Sequence, residues 1–227
     1  MMLARLSSVT KRYGKAEGVR ELSLELYAGQ AVGLLGLNGS GKTTTLKLLA
    51  GMLSPSQGHV EVLGRPPRES RGQIAYLSDA DSLYAWMTPA DAERFMAGLY
   101  PDFSPSRYRE LLAFLEVPKQ GYRAMSRGQR ARLRLAMVLA REARLFLLDE
   151  PLSGIDLISR DRILRSLVRE WREEACLVLS THEVGEAEGI FERVLLLKEG
   201  RLVLDTKAEE LRAKGQSVRD AFIEVLA

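Results

Sequence analysis

The densest chemical signal in the chain is the run Gly36-Leu37-Asn38-Gly39-Ser40-Gly41-Lys42-Thr43-Thr44. It fits the pattern G-x-x-x-x-G-K-[ST]. Glycines permit positive φ and close backbone approach, so successive N–H groups can converge on phosphate oxygens. A helix opening near Lys42 would aim its positive dipole end at the same point. Lys42 is long enough to reach the β- and γ-phosphates of a nucleotide, and the Thr43 hydroxyl can ligate Mg²⁺. The same letters also describe a plain glycine-rich turn between a strand and a helix. What favours phosphate chemistry is the context, a buried apolar strand before the loop and helically spaced leucines after it.

A second signal is Leu145-Phe146-Leu147-Leu148-Asp149-Glu150, an apolar strand ending in two carboxylates. Asp149 at the strand end would face Mg²⁺ through its water shell. Glu150 would then stand where it can polarise an attacking water. An acidic strand end meeting solvent is common on its own; beside a phosphate loop the catalytic reading dominates.

These residues need a frame. The 227 residues carry 33 Lys+Arg against 30 Asp+Glu, a formal net charge of +3, which is too weak to argue for nucleic acid. A hydrophobic share of 46% is enough for a real core and excludes a disordered or disulfide-scaffold chain. The one cysteine, Cys176, cannot form an internal disulfide and fits a reducing compartment. No run approaches the ~18 apolar residues of a membrane-spanning helix, and no export signal stands at Met1–Arg5, so the chain is expected to be soluble and cytoplasmic.

Short apolar segments predict strands at 3–9, 22–26, 31–35, 59–63, 74–77, 145–148, 177–179, 194–197 and 202–204. Leu22, Leu24 and Leu26 alternate with polar residues, whereas Ala31–Leu35 is apolar throughout, as in a strand buried on both faces. Thr88-Pro89 and Ser104-Pro105 each pair an N-cap residue with a proline suited to the first helical turn, and Leu111, Leu112 and Leu115 share a helix face. We therefore expect one α/β domain over residues 1–227, with a helical lobe inserted at about 82–142. Further helices are expected from Ser126, at 157–174, after Thr181 and in the tail.

Taken together, these residues resemble the nucleotide-binding subunits of ATP-binding cassette (ABC) transporters. Met125-Ser126-Arg127-Gly128-Gln129 resembles the family signature, usually LSGGQ, in the family's order after the lobe and before the acidic pair. Physically, Ser126 and Gln129 form an S-x-x-Q capping box with free N–H groups at a helix start. The resemblance implies that Ser126, Arg127, Gly128 and Gln129 contact the γ-phosphate held by a second subunit. It implies adenine stacking by Tyr13, communication between sites through Ser153-Gly154-Ile155-Asp156 with Asp156 as its carboxylate, and a γ-phosphate contact from the switch residue His182. Arg127 replaces the usual glycine and either adds charge near phosphate or faces solvent.

Another departure lies after the predicted strand 74–77, where Asp79 stands at the family's glutamine. Aspartate keeps an acceptor for the metal but loses the amide donor and adds negative charge. Leu83-Tyr84-Ala85-Trp86-Met87 resembles segments of the ABC-2-type bacterial exporter subgroup. Tyr84 and Trp86 would either anchor a partner helix or pack in the lobe.

The resemblance implies a P-loop NTPase of the ABC ATPase fold: a RecA-like core, an antiparallel β portion and the helical lobe. It implies an ATP-hydrolysing subunit that uses Mg²⁺, pairs with an identical or paralogous ATPase subunit, and powers separate transmembrane permease subunits from the cytoplasmic membrane face, in the export direction. No nucleic-acid partner is expected. The alternatives are a soluble ABC ATPase acting on nucleic acid or ribosomes, and a weakly hydrolysing ATP-dependent assembly module.

Overall fold

The computed structural model describes residues 1–80 and 83–226. The chain opens with strands β1 (Met2–Tyr13), β2 (Ala16–Tyr27) and β3 (Gln30–Leu35), followed by helix α1 (Lys42–Leu49). Strands β4 (Gln57–Val62) and β5 (Ile74–Leu77) precede helices α2 (Pro89–Leu99), α3 (Pro105–Phe114) and α4 (Arg127–Leu139). Strand β6 (Leu145–Asp149), helix α5 (Leu157–Arg169), strand β7 (Cys176–Thr181) and helix α6 (Val184–Ala187) come next. Strands β8 (Arg193–Lys198) and β9 (Arg201–Lys207) lead to helices α7 (Ala208–Ala213) and α8 (Val218–Leu226).

Two sheets form. An antiparallel sheet has the order β2-β1-β4, and a larger one runs β5-β6-β7-β3-β8-β9. In the larger sheet every neighbouring pair is parallel except β8 and β9. With β3 between β7 and β8, the parallel strands are joined by crossovers, and only β8 and β9 follow each other as a hairpin.

The apolar strands acquire meaning from their two faces. Val32 and Leu34, Leu145 and Leu147, and Cys176 and Val178 join one core with Leu46, Leu48 and Leu49 of α1 and with Leu3, Leu6, Leu22 and Leu26 of the antiparallel sheet. Their neighbours Leu35, Phe146, Leu148, Leu177 and Leu179 join a second core with the helices of the opposite layer. Continuous hydrophobicity is therefore period-two burial on both faces. Burial pushes the Cys176 thiol up to about 12, so at neutral pH it is an inert core atom and no nucleophile.

Helices α2 to α4 leave the sheet after β5 and return at β6, its hydrogen-bonded neighbour. Thr88 caps α2 through a reciprocal pair with Asp91, Ser104 caps α3, and Ser126 caps α4 with Gln129 in the capping-box arrangement. The expected start of the insertion at Ser82 lies outside the described residues. Leu111 and Leu115 are fully buried while Leu112 packs at the core's edge. Arg141, at the far end of α4, fastens the insertion to the sheet: its buried guanidinium donates to Asp102 and to the carbonyls of Ile74 and Gly72, and stacks 3.9 Å from the Tyr100 ring centroid.

One expectation changes, and one open alternative is decided. Helix α5 ends at Arg169, not at 174. The Glu170 carboxylate turns inward to pair with Arg107, and residues 171–175 return the chain to Cys176, which must align with Gln30 and Leu145. Tyr84 and Trp86 do not pack in the lobe. They are 63% and 65% exposed and stack on each other, centroids 5.9 Å apart, whereas Met87 beside them is buried.

Candidate functional site

Parallel strands put their carboxyl ends on one edge, where ligands of open α/β sheets bind. Leu35 of β3 lies opposite Thr181 of β7, and Asp149 of β6 lies opposite Ser180. Gly36, Glu150 and His182, each the first residue beyond its strand, therefore emerge side by side.

In the loop after β3, Gly41 has φ 105° and opens α1 as its N-cap without a side-chain cap. An L side chain is strained there, and its Cβ would also overlap the Gly18 carbonyl. The first amides of α1 stay free of side-chain acceptors, which is what an anion requires. Lys42 is 5% exposed, and its ammonium donates to the carbonyls of Gly36 (2.7 Å) and Leu37 (3.2 Å). It also stands 3.2 Å from Glu150 Oε1.

Glu150 is held from several sides. Its N–H donates to the Ser180 carbonyl and hydroxyl at 3.2 and 3.1 Å, and its Oε2 is 3.0 Å from His182 Nδ1. Its backbone is left-handed, φ 48°, a conformation that costs an L residue roughly 1–2 kcal/mol. Oε1 is buried with no hydrogen bond and only the nearby ammonium for company. Such a carboxylate is poised to accept a proton from a water placed before it.

Asp149 is 2% exposed and is ringed by hydroxyls. Thr43 Oγ1 (3.1 Å) and Ser180 Oγ (2.7 Å) reach its Oδ1, and the Tyr76 hydroxyl (3.3 Å) reaches its Oδ2. This donor set fits Mg²⁺: hard oxygens, one fixed carboxylate and a threonine hydroxyl, with room for phosphate oxygens and water to complete the shell. Among the described residues no group of three or more His, Cys, Asp or Glu could hold a metal ion by itself.

Sequence reasoning missed Ser180 and Tyr76. Ser180 was visible as the hydroxyl-bearing residue that ends the apolar run of β7, and Tyr76 as the polar-tipped residue of β5. Burial and the Asp149 carboxylate raise the Tyr76 phenol well above its ordinary range, so it stays a donor.

Tyr13 sits at the rim, 47% exposed, with its hydroxyl 3.5 Å from Thr44 Oγ1 and Lys11 Nζ 5.5 Å from its ring centroid. Asp79 is exposed, and what the structure uses is its backbone carbonyl, which accepts from Arg134 at 3.2 Å. The hydroxyl of Tyr76, three residues earlier, is the group from this strand that touches Asp149.

Ser126, Arg127, Gly128 and Gln129 form a second cluster. Gln129 N–H donates to Ser126 Oγ (3.2 Å) and Ser126 N–H to Gln129 Oε1 (2.8 Å). Asp156 caps α5 by accepting from the Ser159 N–H at 2.9 Å, a bond that holds its carboxyl below the usual range. The guanidinium of Arg127 lies over Gly154, so it faces the loop Ser153–Asp156 of its own chain. The seven residues from Glu150 to Asp156 thus run from the first cluster to the second.

Gly128 packs against Ser159 and Asp156 so closely that a Cβ would overlap both side chains. Gly128→Ala is expected to destabilise the chain by about 1–3 kcal/mol through overpacking. Thermal unfolding measures this, and an unchanged midpoint would show that the contact relaxes freely.

Comparison with known proteins agrees with this geometry. The family described as "ABC transporter" matches residues 19–153. The chain is 34% identical to the aliphatic sulfonates import ATP-binding protein SsuB 2 of Pseudomonas aeruginosa, covering 96% of this chain and 81% of that protein. It is 32% identical to the SkfA peptide export ATP-binding protein SkfE of Bacillus subtilis, covering 90% and 89%. Among solved structures, a dimeric ATP-binding cassette in a post-hydrolysis state with ADP and phosphate superposes at TM-score 0.80 with 22% identity, over 90% of this chain and 98% of that one. The chain belongs to the ABC transporter family, with the ABC ATPase fold, and is one of its ATP-binding subunits.

Proposed function

We propose that the chain hydrolyses ATP at a site shared by two subunits and so drives a separate membrane permease. The observation that carries this reading is the convergence of Lys42, Thr43, Asp149, Glu150 and His182 at one sheet edge. The amides of Gly36–Thr44 and the Lys42 ammonium hold the phosphates. Thr43 and Asp149 are the residues that would hold Mg²⁺, which when bound neutralises charge on the phosphoryl oxygens. Glu150 takes the proton of the attacking water, and His182 holds the Glu150 carboxylate in place. Tyr13 lines the rim where the base would lie. Its half-exposed ring supports stacking.

Ser126–Gln129 act on the nucleotide of a second subunit, identical or paralogous, and Asp156 serves communication between the two sites. Leu37 within the phosphate loop, and Leu157 and Ile158 after Asp156, are exposed apolar side chains that such a partner would cover. Residues 1–227 act as one domain with the helical lobe at about 82–142 responding to that partner.

No helix among the described residues is long and apolar enough to cross a membrane, so the work is delivered through contact. A groove of about 470 Å³ between β5, the end of α1 and the lobe is lined by Met52, Leu83, Phe95 and Leu99 among others, and the Tyr84–Trp86 stack stands exposed on the lobe. This supports a permease helix docking from the membrane, with the chain peripheral on the cytoplasmic face. The resemblance of Leu83–Met87 to ABC-2-type exporters supports export.

Fractionation tests this. The chain should sediment with membranes, and Tyr84→Ser with Trp86→Ser should release it without changing the ATPase rate of the purified chain. Retention of the double variant would move docking elsewhere. Sedimentation with RNA that nuclease abolishes would favour the nucleic-acid alternative.

A further inference from the structure

Arg134 does something that neither the phosphate loop nor the signature cluster requires. It projects from the middle of α4, and its Nη1 donates to the carbonyls of Ser78 (3.0 Å), Asp79 (3.2 Å) and Ala80 (2.8 Å). Three successive carbonyls turned toward one point repel one another unless a cation sits among them. The backbone leaving β5 therefore depends on this guanidinium. Arg141, just beyond the C-terminal end of the same helix, grips the other end of β5 through the Ile74 carbonyl at 2.7 Å. Between these two clamps lies Tyr76, whose hydroxyl reaches Asp149.

We propose that Arg134 is a positioning residue for the metal-side carboxylate: by fixing Ser78–Ala80 it fixes the exit of β5, and through it the Tyr76 hydroxyl that holds Asp149. A change in how the helical insertion sits on the sheet is thereby read at Asp149 without any contact between Arg134 and the nucleotide. The route uses backbone carbonyls, so it operates whatever side chain occupies position 79. It deepens the ATPase reading above and rests on it.

The test uses the full chain and compares Arg134→Met, Arg134→Lys, Tyr76→Phe and the double variant Arg134→Met/Tyr76→Phe. One readout is amide exchange over residues 77–80. The other is the ratio of the dissociation constants of a fluorescent non-hydrolysable ATP analogue in EDTA and in saturating Mg²⁺. Arg134→Met should speed exchange at 78–80 and lower the Mg²⁺ enhancement about three- to tenfold, the worth of one lost hydrogen bond. Arg134→Lys should fall between, since it keeps a cation but on a shorter side chain than the one that places Nη1 among the three carbonyls. Tyr76→Phe should match the loss of Mg²⁺ enhancement, and the double variant should lose no more than either single one.

Unchanged exchange in Arg134→Met, or losses that add in the double variant, would overturn the role of Arg134. If the unsubstituted chain shows no Mg²⁺ enhancement, the nucleotide reading itself fails, and the result is distinct from failure in the variants alone.

Discussion

Glu150→Gln is expected to cut Mg-dependent ATP turnover by roughly 10²- to 10⁴-fold while leaving ATP affinity intact or tighter. The loss is the share that a positioned general base contributes. Glutamine keeps the shape and still accepts a hydrogen bond from the group at His182 Nδ1, 3.0 Å from the carboxylate it replaces, but it cannot take a proton from water. Affinity does not fall, because the carboxylate that stands 3.2 Å from the Lys42 ammonium competes with phosphate for it. Removing that negative charge frees the ammonium for the nucleotide. Single-turnover hydrolysis and nucleotide titration measure both halves. Turnover within a few-fold of the unsubstituted rate would remove Glu150 from the catalytic role.

Lys42→Met should weaken ATP binding by roughly ten- to a hundredfold or more, the value of a charge-assisted contact or two to phosphate. The methionine keeps the apolar stem at a position that is only 5% exposed, so the side chain's packing is largely preserved. What remains behind is Glu150 Oε1, buried and now without its cation, together with two carbonyls that lose their donor. We therefore also expect a lower thermal midpoint without nucleotide. A fluorescent ATP titration and thermal unfolding separate the effects. Unchanged affinity would contradict the assignment of the loop Gly36–Thr44.

Much of this was legible in the residues themselves. The expected strand at 74–77 coincides with β5, and the expected caps at Thr88, Ser104 and Ser126 are all formed, because capping chemistry is local and involves residues three apart. The phosphate loop was legible for the same reason: strand, glycines, lysine and helix follow one another in the chain.

What escaped was lateral. Nothing in Ser180 or Tyr76 announces that parallel registry will set one at 2.7 Å and the other at 3.3 Å from the same Asp149 carboxylate. Whether Trp86 would face solvent or core was also undecidable from its neighbours, since a stacked pair satisfies each ring without burial. The end of α5 was misjudged because helical spacing continued past Arg169. The chain is turned there by the inward ion pair of Glu170 with Arg107, a contact across 63 positions. Arg127 shows the same limit: its letter left open charge near a phosphate or a face to solvent, and its guanidinium lies on Gly154 of the neighbouring loop.

The most direct test of the central claim, hydrolysis at a site shared by two subunits, is the Mg-dependent ATPase rate of the purified chain against its own concentration. A shared site predicts a rate that rises more steeply than linearly at low concentration and becomes linear once the dimer is populated. A rate strictly proportional to concentration throughout, and unaffected by substitution of Ser126, would contradict it.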